Sequence, residues 1–299
     1  MTATIGMAML TVISGAVNAA TIAVPNYSFE SPPTTFVVPL VDSWQQTPEP
    51  AFVDGMFTNT ETGVFSNSPP PIDNCDGVQA AYLFADPQVA LFQDYDSTDY
   101  ANPTPTHAFD ATYDAGKSYT LTVAVLGGTN LTEPMVEGTT LELSLYYRDS
   151  SNNLVPVAAL SVTNSGALFP SPTHFVDFQV QVPTVKASDP WAGQHIGIEI
   201  LSTVSPDLEG GYWDLDNVRL SSTVTPALMA PAYTNGHFSF TLQSEPGLPF
   251  EMLASTNVAL ALSNWTSLGT LTNVSGTIPF TDPATNVSRR FYRARQLLE

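Results

Sequence analysis

Apolar and polar residues alternate along much of the chain between residues 20 and 222. In FVDFQVQV, one face of an extended strand would carry Val176, Phe178, Val180 and Val182, and the other face is mainly polar. The same period of two recurs in SYTLTVAV, LELSLYYR and IGIEI. Strands with one apolar face are typical of antiparallel sheets, and a long helical period is absent. The pattern therefore predicts an all-β fold in which residues 20–222 form a jelly-roll β-sandwich.

A second β-module is predicted at the C-terminal end of the chain. The segment 223–236 has the composition of a linker and lacks sustained alternation. Alternation then resumes in residues 237–299, which have room for five or six short strands. Four of the eight basic residues also lie in the last eleven positions, so the charge distribution favours two modules as well.

Residues 1–19 are predicted to be an export signal. They contain an apolar run and small residues at Val17 and Ala19, before a cleavage point after Ala19. The absence of Lys and Arg from this segment departs from the usual signal, and a buried apolar segment is the alternative. The prediction is a secreted or cell-surface protein. Its mature chain has no run near the ~18 apolar residues that a membrane span needs.

Composition excludes several classes of protein. With 43% hydrophobic and 12% charged residues, the 299-residue chain can bury a large core. Its net charge of −20 argues against nucleic acid as a partner, because binding to phosphates requires Lys and Arg. Cys75 is the single cysteine, so no disulfide can form within the chain.

Two regions resemble known families of secreted bacterial proteins. The opening PNYSFE, the middle segments GVQAAYLF and AGKSYTLTVAVL, and the closing GGYWDLDNVRL resemble galactose-binding-like jelly-roll domains. Carbohydrate-binding modules belong to that group. The terminal stretch, with STN, Trp265, FTD and RFYRA, resembles an accessory C-terminal β-module.

The resemblance implies a structural calcium ion near the first and last strands. It assigns Glu30, the acid of PNYSFE, and Asp216, the acid before the closing NV, as ligands. Calcium takes six to eight oxygen ligands, so loop carbonyls and a third acid would have to complete the site. Strict alternation would also place Leu215 and Val218 on opposite faces, which predicts a bulge at Asp216 or Asn217. The alternative is that both carboxylates are merely solvated.

Glycan recognition needs aromatic rings and planar polar groups on an exposed strand face. Six outward positions satisfy this requirement, although an ordinary solvated face is the alternative: Glu142, Tyr146, Arg148, Phe175, Asp177 and Gln179. Because HExxH and GxSxG motifs are absent, the sequence predicts no enzymatic activity. The leading prediction is a secreted, non-catalytic protein that binds a glycan or polysaccharide and is stabilised by calcium. A self-assembling structural or adhesive surface subunit is the alternative, and a polysaccharide-degrading enzyme is a distant third.

Overall fold

The computed structural model describes residues 10–13, 19–47, 60–68, 71–99, 102–127, 135–284 and 289–297. These residues form strands and loops, with a single 3₁₀ turn at Leu262–Asn264. The first strands in chain order are β1 (Leu10–Ile13), β2 (Ala20–Ile22), β3 (Val37–Val38), β4 (Gln45–Gln46), β5 (Thr62–Ser66), β6 (Gln79–Phe84), β7 (Ala90–Gln93), β8 (Lys117–Leu126), β9 (Thr140–Arg148) and β10 (Leu154–Thr163). They are followed by β11 (Val176–Val182), β12 (Gly197–Ser202), β13 (Tyr212–Val224), β14 (Ala227–Thr234), β15 (His237–Gln243), β16 (Pro249–Ser255), β17 (Thr266–Thr272), β18 (Thr277–Thr281) and β19 (Phe291–Gln296).

The chain divides into two compact units. The larger unit is Thr21–Ser222, and the smaller one combines Met1–Ala20 with Thr223–Glu299. The predicted all-β class, a jelly-roll β-sandwich followed by a small β-module, is confirmed. The linker predicted at 223–236 is wrong, because β14 lies within it and pairs with β15. A shift of register between Met229 and Ala232 accommodates Pro231, which has no N–H to donate to the ladder.

The larger unit is built from two sheets. One has the order β11-β8-β13-β6-β5-β3, with β2 also paired to β13, and the other has the order β10-β9-β12-β7-β4. The period of two in LELSLYYR and IGIEI is confirmed, since the apolar residues Leu143, Leu145, Ile198 and Ile200 are all fully buried. Leu145 lies opposite Ile198 across β9 and β12, which fixes the register of the second sheet.

The predicted irregularity in β13 is present. Leu215 and Val218 are both buried in the sandwich core although they are three residues apart. Asn217, between them, has a φ of 48°, in the left-handed region. The strand therefore turns locally at Asn217, so that both apolar side chains reach the core and Asp216 is buried as well.

The smaller unit has a four-stranded sheet, β1-β19-β16-β17, and a three-stranded sheet, β14-β15-β18. Its own core includes Phe240, Phe250 and Tyr292. Asp282 is 1% exposed and accepts hydrogen bonds from Arg290 Nη1 at 2.8 Å and from the Tyr292 hydroxyl at 2.7 Å. The FTD and RFYRA segments are thus joined by a buried ion pair.

Only part of the predicted export signal, residues 10–13 and 19, lies in the described part of the chain. Leu10–Ile13 pairs in parallel with β19. Residues 1–9 and 14–18 lie outside the described part of the chain, so the export signal and the secreted location stay predictions. No helix within the described ranges is long and apolar enough to cross a membrane.

Candidate active site

Three aromatic side chains lie together on the outer face of the seven-stranded sheet. Tyr82 and Phe84 are on β6, and Tyr212 is at the start of β13. Their neighbours along the strands, Leu83 and Trp213, point the other way into the sandwich core, to which none of the three rings contributes. We call this surface the aromatic face.

The register between β6 and β13 brings the aromatic face together. Tyr212 lies opposite Phe84 and Asp214 lies opposite Tyr82. The Phe84 ring is stacked with Tyr212 at 6.3 Å between centroids and lies 5.6 Å from the Tyr82 ring. Directly opposed residues share one face of a sheet, so the Asp214 carboxyl projects among these three rings.

Asp214 is the chemically unusual group of the aromatic face. Its Oδ1 atom is inaccessible to solvent and has no hydrogen-bond partner among the described residues. Burial raises the pKa of this carboxyl to about 8, because the anion would lose its hydration without gaining a partner. Asp214 is therefore mostly a neutral carboxylic acid at neutral pH.

The hydroxyl groups beside Asp214 are also perturbed. Burial, and then the charge of Asp214, raise the pKa of Tyr212. Burial, and then the charge of Glu61, raise the pKa of Tyr82 to about 12, and its hydroxyl donates to the Thr60 carbonyl oxygen at 3.1 Å. Both phenols stay neutral, so Asp214 is the proton donor of this group at neutral pH.

A protonated carboxyl between aromatic rings suits reactions that pass through a cation. The acid can protonate a bound substrate, and the ring faces can stabilise the positive charge that results. Perturbed carboxyls are concentrated at functional sites, so the aromatic face is the candidate active site of the chain.

Comparison with known proteins identifies the family. The model of the HpiC1-like family, described as HpiC1 cyclase, matches residues 20–221. The chain belongs to this family. No curated protein matches the sequence significantly.

Solved cyclase structures share the fold of this HpiC1-like protein. The Stig cyclase Fisc from Fischerella sp. TAU, in complex with (3Z)-3-(1-methyl-2-pyrrolidinylidene)-3H-indole, has a TM-score of 0.51 and 21% identity, and the match covers 70% of this chain and 100% of that chain. A cyclase from the same organism, in complex with 4-(1H-indol-3-yl)butan-2-one, has a TM-score of 0.50 and 23% identity, with 69% and 99% of the two chains covered. At these identities the similarity establishes a common fold.

Membership of a cyclase family overturns the function predicted from the sequence. The prediction of a non-catalytic glycan-binding protein is wrong, and so is the prediction of no enzymatic activity. The two alternative predictions, a structural surface subunit and a polysaccharide-degrading enzyme, are wrong for the same reason. The resemblance to carbohydrate-binding jelly rolls holds for the β-sandwich fold only. Absence of familiar catalytic motifs misled the prediction, because one buried carboxyl can act as a general acid without any motif.

The six residues predicted to bind a glycan do not form one site in this HpiC1-like protein. Glu142, Tyr146 and Arg148 belong to β9 in the five-stranded sheet. Asp177 and Gln179 belong to β11, at the edge of the seven-stranded sheet. The two sheets enclose the sandwich core between them, so the two sets lie on different surfaces.

Tyr146 is fully buried, although it was predicted to be exposed. It has the predicted register, but its ring covers Gly197, where a Cβ atom would lie 2.2 Å from Tyr146 Cζ. Its hydroxyl donates to Asp94 Oδ2 at 2.7 Å, and Arg148 Nε donates to the same oxygen at 2.7 Å. These groups stabilise one another and are not available as a ligand platform.

The three predicted positions in and next to β11 agree with the prediction only in part. Phe175 precedes the first residue of β11, so the alternation does not extend to it, and it is buried in the core. Asp177 is exposed and forms an ion pair with Arg219. Gln179 is exposed, as predicted, and lies opposite Thr122 of β8.

Glu30 and Asp216, the predicted calcium ligands, meet at one loop from opposite ends of the larger unit. Glu30 Oε1 accepts hydrogen bonds from the N–H groups of Val78 and Gln79, and Asp216 Oδ2 accepts one from Asp76 N–H at 2.6 Å. Burial raises the pKa of Asp216 to about 7. In the described part of the chain, no group of three or more His, Cys, Asp or Glu side chains is arranged to hold a metal ion. Calcium therefore stays a prediction.

A shallow groove of about 470 Å³ lies elsewhere, along β10 and β11. It is lined by apolar and hydroxyl side chains, including Leu160, Val162 and Phe178. The groove has no titratable side chain in its lining, so it lacks the means for proton transfer. The aromatic face is the better candidate for catalysis.

Sequence reasoning missed Asp214, Tyr82, Phe84 and Glu61. One signal was present: Asp214 alternates with Trp213 and Leu215 and therefore faces away from the core. What the sequence did not contain was the pairing of Asp214 with Tyr82, which supplies the aromatic surroundings.

Proposed function

We propose that this protein is an acid-dependent cyclase in which Asp214 donates the proton that initiates ring closure of an aromatic substrate. The observation that carries this proposal is the Asp214 carboxyl among three aromatic rings, because its Oδ1 atom is buried without a hydrogen-bond partner among the described residues and its pKa is raised to about 8. Membership of the HpiC1-like cyclase family supports a cyclisation as the reaction.

The proposed reaction is an isomerisation that needs no oxidant or reductant. The Asp214 O–H bond breaks as its proton is added to a carbon or heteroatom of the substrate, which becomes a cation. A carbon–carbon π bond of the same molecule then attacks the cationic carbon and closes the ring. Loss of a proton from the new ring to the Asp214 carboxylate restores the acid.

The aromatic rings have two roles in this reaction. Phe84 and Tyr212 offer flat apolar surface on which an aromatic substrate can stack. Their electron-rich faces also attract a positive charge within about 6 Å, which favours the cationic intermediate over the neutral substrate. Tyr82 holds its hydroxyl to the backbone at Thr60, so its ring is fixed beside Asp214.

We expect the full chain to convert an indole that carries an alkenyl side chain at C3 into a cyclised isomer. Indoles are the first probes because the ligands of the two solved cyclases contain an indole or indole-derived ring. Liquid chromatography with mass spectrometry should show a new product of unchanged mass, and NMR should show loss of the alkene protons. If no indole of such a panel binds saturably or is converted, the proposal is wrong.

We also propose a structural calcium ion held by Glu30 and Asp216, with backbone oxygens and water as the other ligands. Convergence of the two carboxylates on one loop, and the burial of Asp216, fit a cation there. Among the described residues no third His, Cys, Asp or Glu side chain is arranged to complete the site. The ion would stabilise the fold and take no part in the reaction.

Chelation should then lower the melting temperature of the larger unit. An ion that binds only the folded state stabilises it by about 2.7 kcal/mol at a hundredfold excess over Kd. Differential scanning calorimetry with EDTA, and again after added calcium, measures the change, and Asp216→Asn should abolish the response. Identical melting curves with EDTA and with calcium would rule out the ion.

A further inference from the structure

Glu61 is a buried carboxylate at the end of the aromatic face where Phe84 stacks with Tyr212. Thr62 pairs with Leu83, and the Phe84 N–H donates to the Glu61 carbonyl oxygen at 2.7 Å, so Glu61 lies directly opposite Phe84 on the same face. Glu61 is 5% exposed, and its Oε1 atom is inaccessible and has no hydrogen-bond partner among the described residues. A carboxylate buried in this way is costly unless another group compensates it.

Two more acids lie at the same end. Asp86 follows Phe84 by two residues. The backbone of Ala85 is hydrogen-bonded to Gly210 and Gly211, which brings Glu209 alongside. Burial, and then the charges of Glu209 and Glu61, raise the pKa of Asp86. The three acids therefore repel one another, while Glu61 is buried and Asp86 is half-buried.

The chain supplies no cation to this end of the aromatic face. All eight Lys and Arg residues of the sequence lie in described segments: Lys117, Arg148, Lys186, Arg219, Arg289, Arg290, Arg293 and Arg295. Five of them form ion pairs with acids elsewhere, and within those segments none pairs with Glu61, Asp86 or Glu209. Lys and Arg side chains therefore do not neutralise these acids, which favours a cationic ligand here.

We propose that the ligand of this site carries a protonated amine, which Glu61 and Asp86 bind while the aromatic part of the ligand stacks on Phe84 and Tyr212. The inference deepens the proposed function and rests on it, because both place the ligand on the aromatic face. The rings add to the attraction, since an ammonium near an aromatic face gains cation–π energy. A metal ion fits less well: in the described segments no three acidic, His or Cys side chains are arranged to hold one.

Binding of two matched indoles to the full chain tests the inference. Tryptamine carries an ammonium, and 3-ethylindole has a similar shape without a charge. Isothermal titration calorimetry should give an affinity for tryptamine that is higher by about tenfold or more, and this difference should shrink at high salt. Glu61→Gln and Asp86→Asn should each lower the affinity for tryptamine by about tenfold and leave that for 3-ethylindole within about twofold.

Asp110→Asn is the control, because it removes one negative charge at an exposed position that pairs with His195. It should not change the affinity for either indole. Equal affinities for tryptamine and 3-ethylindole, both unchanged in Glu61→Gln, would overturn the ammonium site and leave the proposed cyclase intact. Failure of the wild type to bind either indole would overturn both proposals. If calcium chloride binds in a way that Glu61→Gln abolishes while tryptamine shows no preference, the site holds a metal ion and the inference is wrong.

Discussion

Asp214→Asn is expected to reduce the rate of cyclisation by about 10²–10⁴-fold and to leave the fold intact, because an amide cannot donate the proton that a carboxylic acid donates. Its shape is almost the same, and Asp214 Oδ1 makes no hydrogen bond that the amide would lose. Conversion of an alkenyl indole, followed by mass spectrometry, measures the rate, and circular dichroism monitors the fold. Asp110→Asn, which removes a charge outside the aromatic face, should retain wild-type activity.

The dependence on pH separates an acid catalyst from a merely structural carboxyl. A general acid works in its protonated form, so the wild-type rate should be level below the folded pKa of about 8 and should fall as pH rises through it. The residual rate of Asp214→Asn should not follow this titration. A wild-type rate that increases above pH 8, or full activity in Asp214→Asn, would exclude Asp214 as the proton donor.

The raised pKa of Asp214 also makes the free energy of unfolding depend on pH. The unfolded Asp214 loses its proton near pH 4 and the folded one near pH 8, so the unfolded state binds fewer protons across this window. Its contribution to the free energy of unfolding therefore falls as pH rises from about 4 to 8. Asp214→Asn removes this titration and should therefore weaken the dependence of the free energy of unfolding on pH.

The strands could be predicted from the sequence, whereas the candidate active site could not, because only the strands depend on local pattern. Alternation is a local property, and Leu143, Leu145, Ile198 and Ile200 reach the core as predicted because each sits in a regular strand. The importance of Asp214 depends instead on Tyr82, which is more than a hundred residues away and becomes its neighbour only when β6 pairs with β13. No local pattern encodes that pairing.

Function was harder to predict than fold because jelly-roll sandwiches carry many functions. The closing YWDLDNVRL begins the last strand of the larger unit, as its resemblance to such sandwiches implies, and the same resemblance assigns Asp216 as a calcium ligand. Asp214, two residues earlier, does not stand out in the sequence, because an outward acid on a strand usually faces water. Two of the three aromatic rings beside it belong to another strand, β6, and the proposed role of Asp214 as a general acid rests on these surroundings.

Tyr146→Ala is expected to destabilise the larger unit by about 3–5 kcal/mol, as expected when a large buried aromatic side chain is truncated in a core. The ring is fully buried over Gly197, and its removal would open a cavity and leave Asp94 with one donor fewer. In thermal unfolding this corresponds to a decrease of roughly 6–20 °C for a unit of this size. Tyr146→Phe should cost less, about 1.5–3 kcal/mol, because it keeps the ring and loses only the hydrogen bond to the Asp94 carboxylate.

The matched control is Tyr233→Ala, since Tyr233 is 49% exposed and belongs to the smaller unit. It should leave the melting transition of the larger unit unchanged. The loss of stability should therefore decrease from Tyr146→Ala to Tyr146→Phe to Tyr233→Ala. The buried ring accounts for the first difference, and the hydrogen bond of the Tyr146 hydroxyl accounts for the second. If Tyr146→Ala melts at the same temperature as the wild type, the Tyr146 ring is exposed to water. The close contact between this ring and Gly197 of β12 is then wrong.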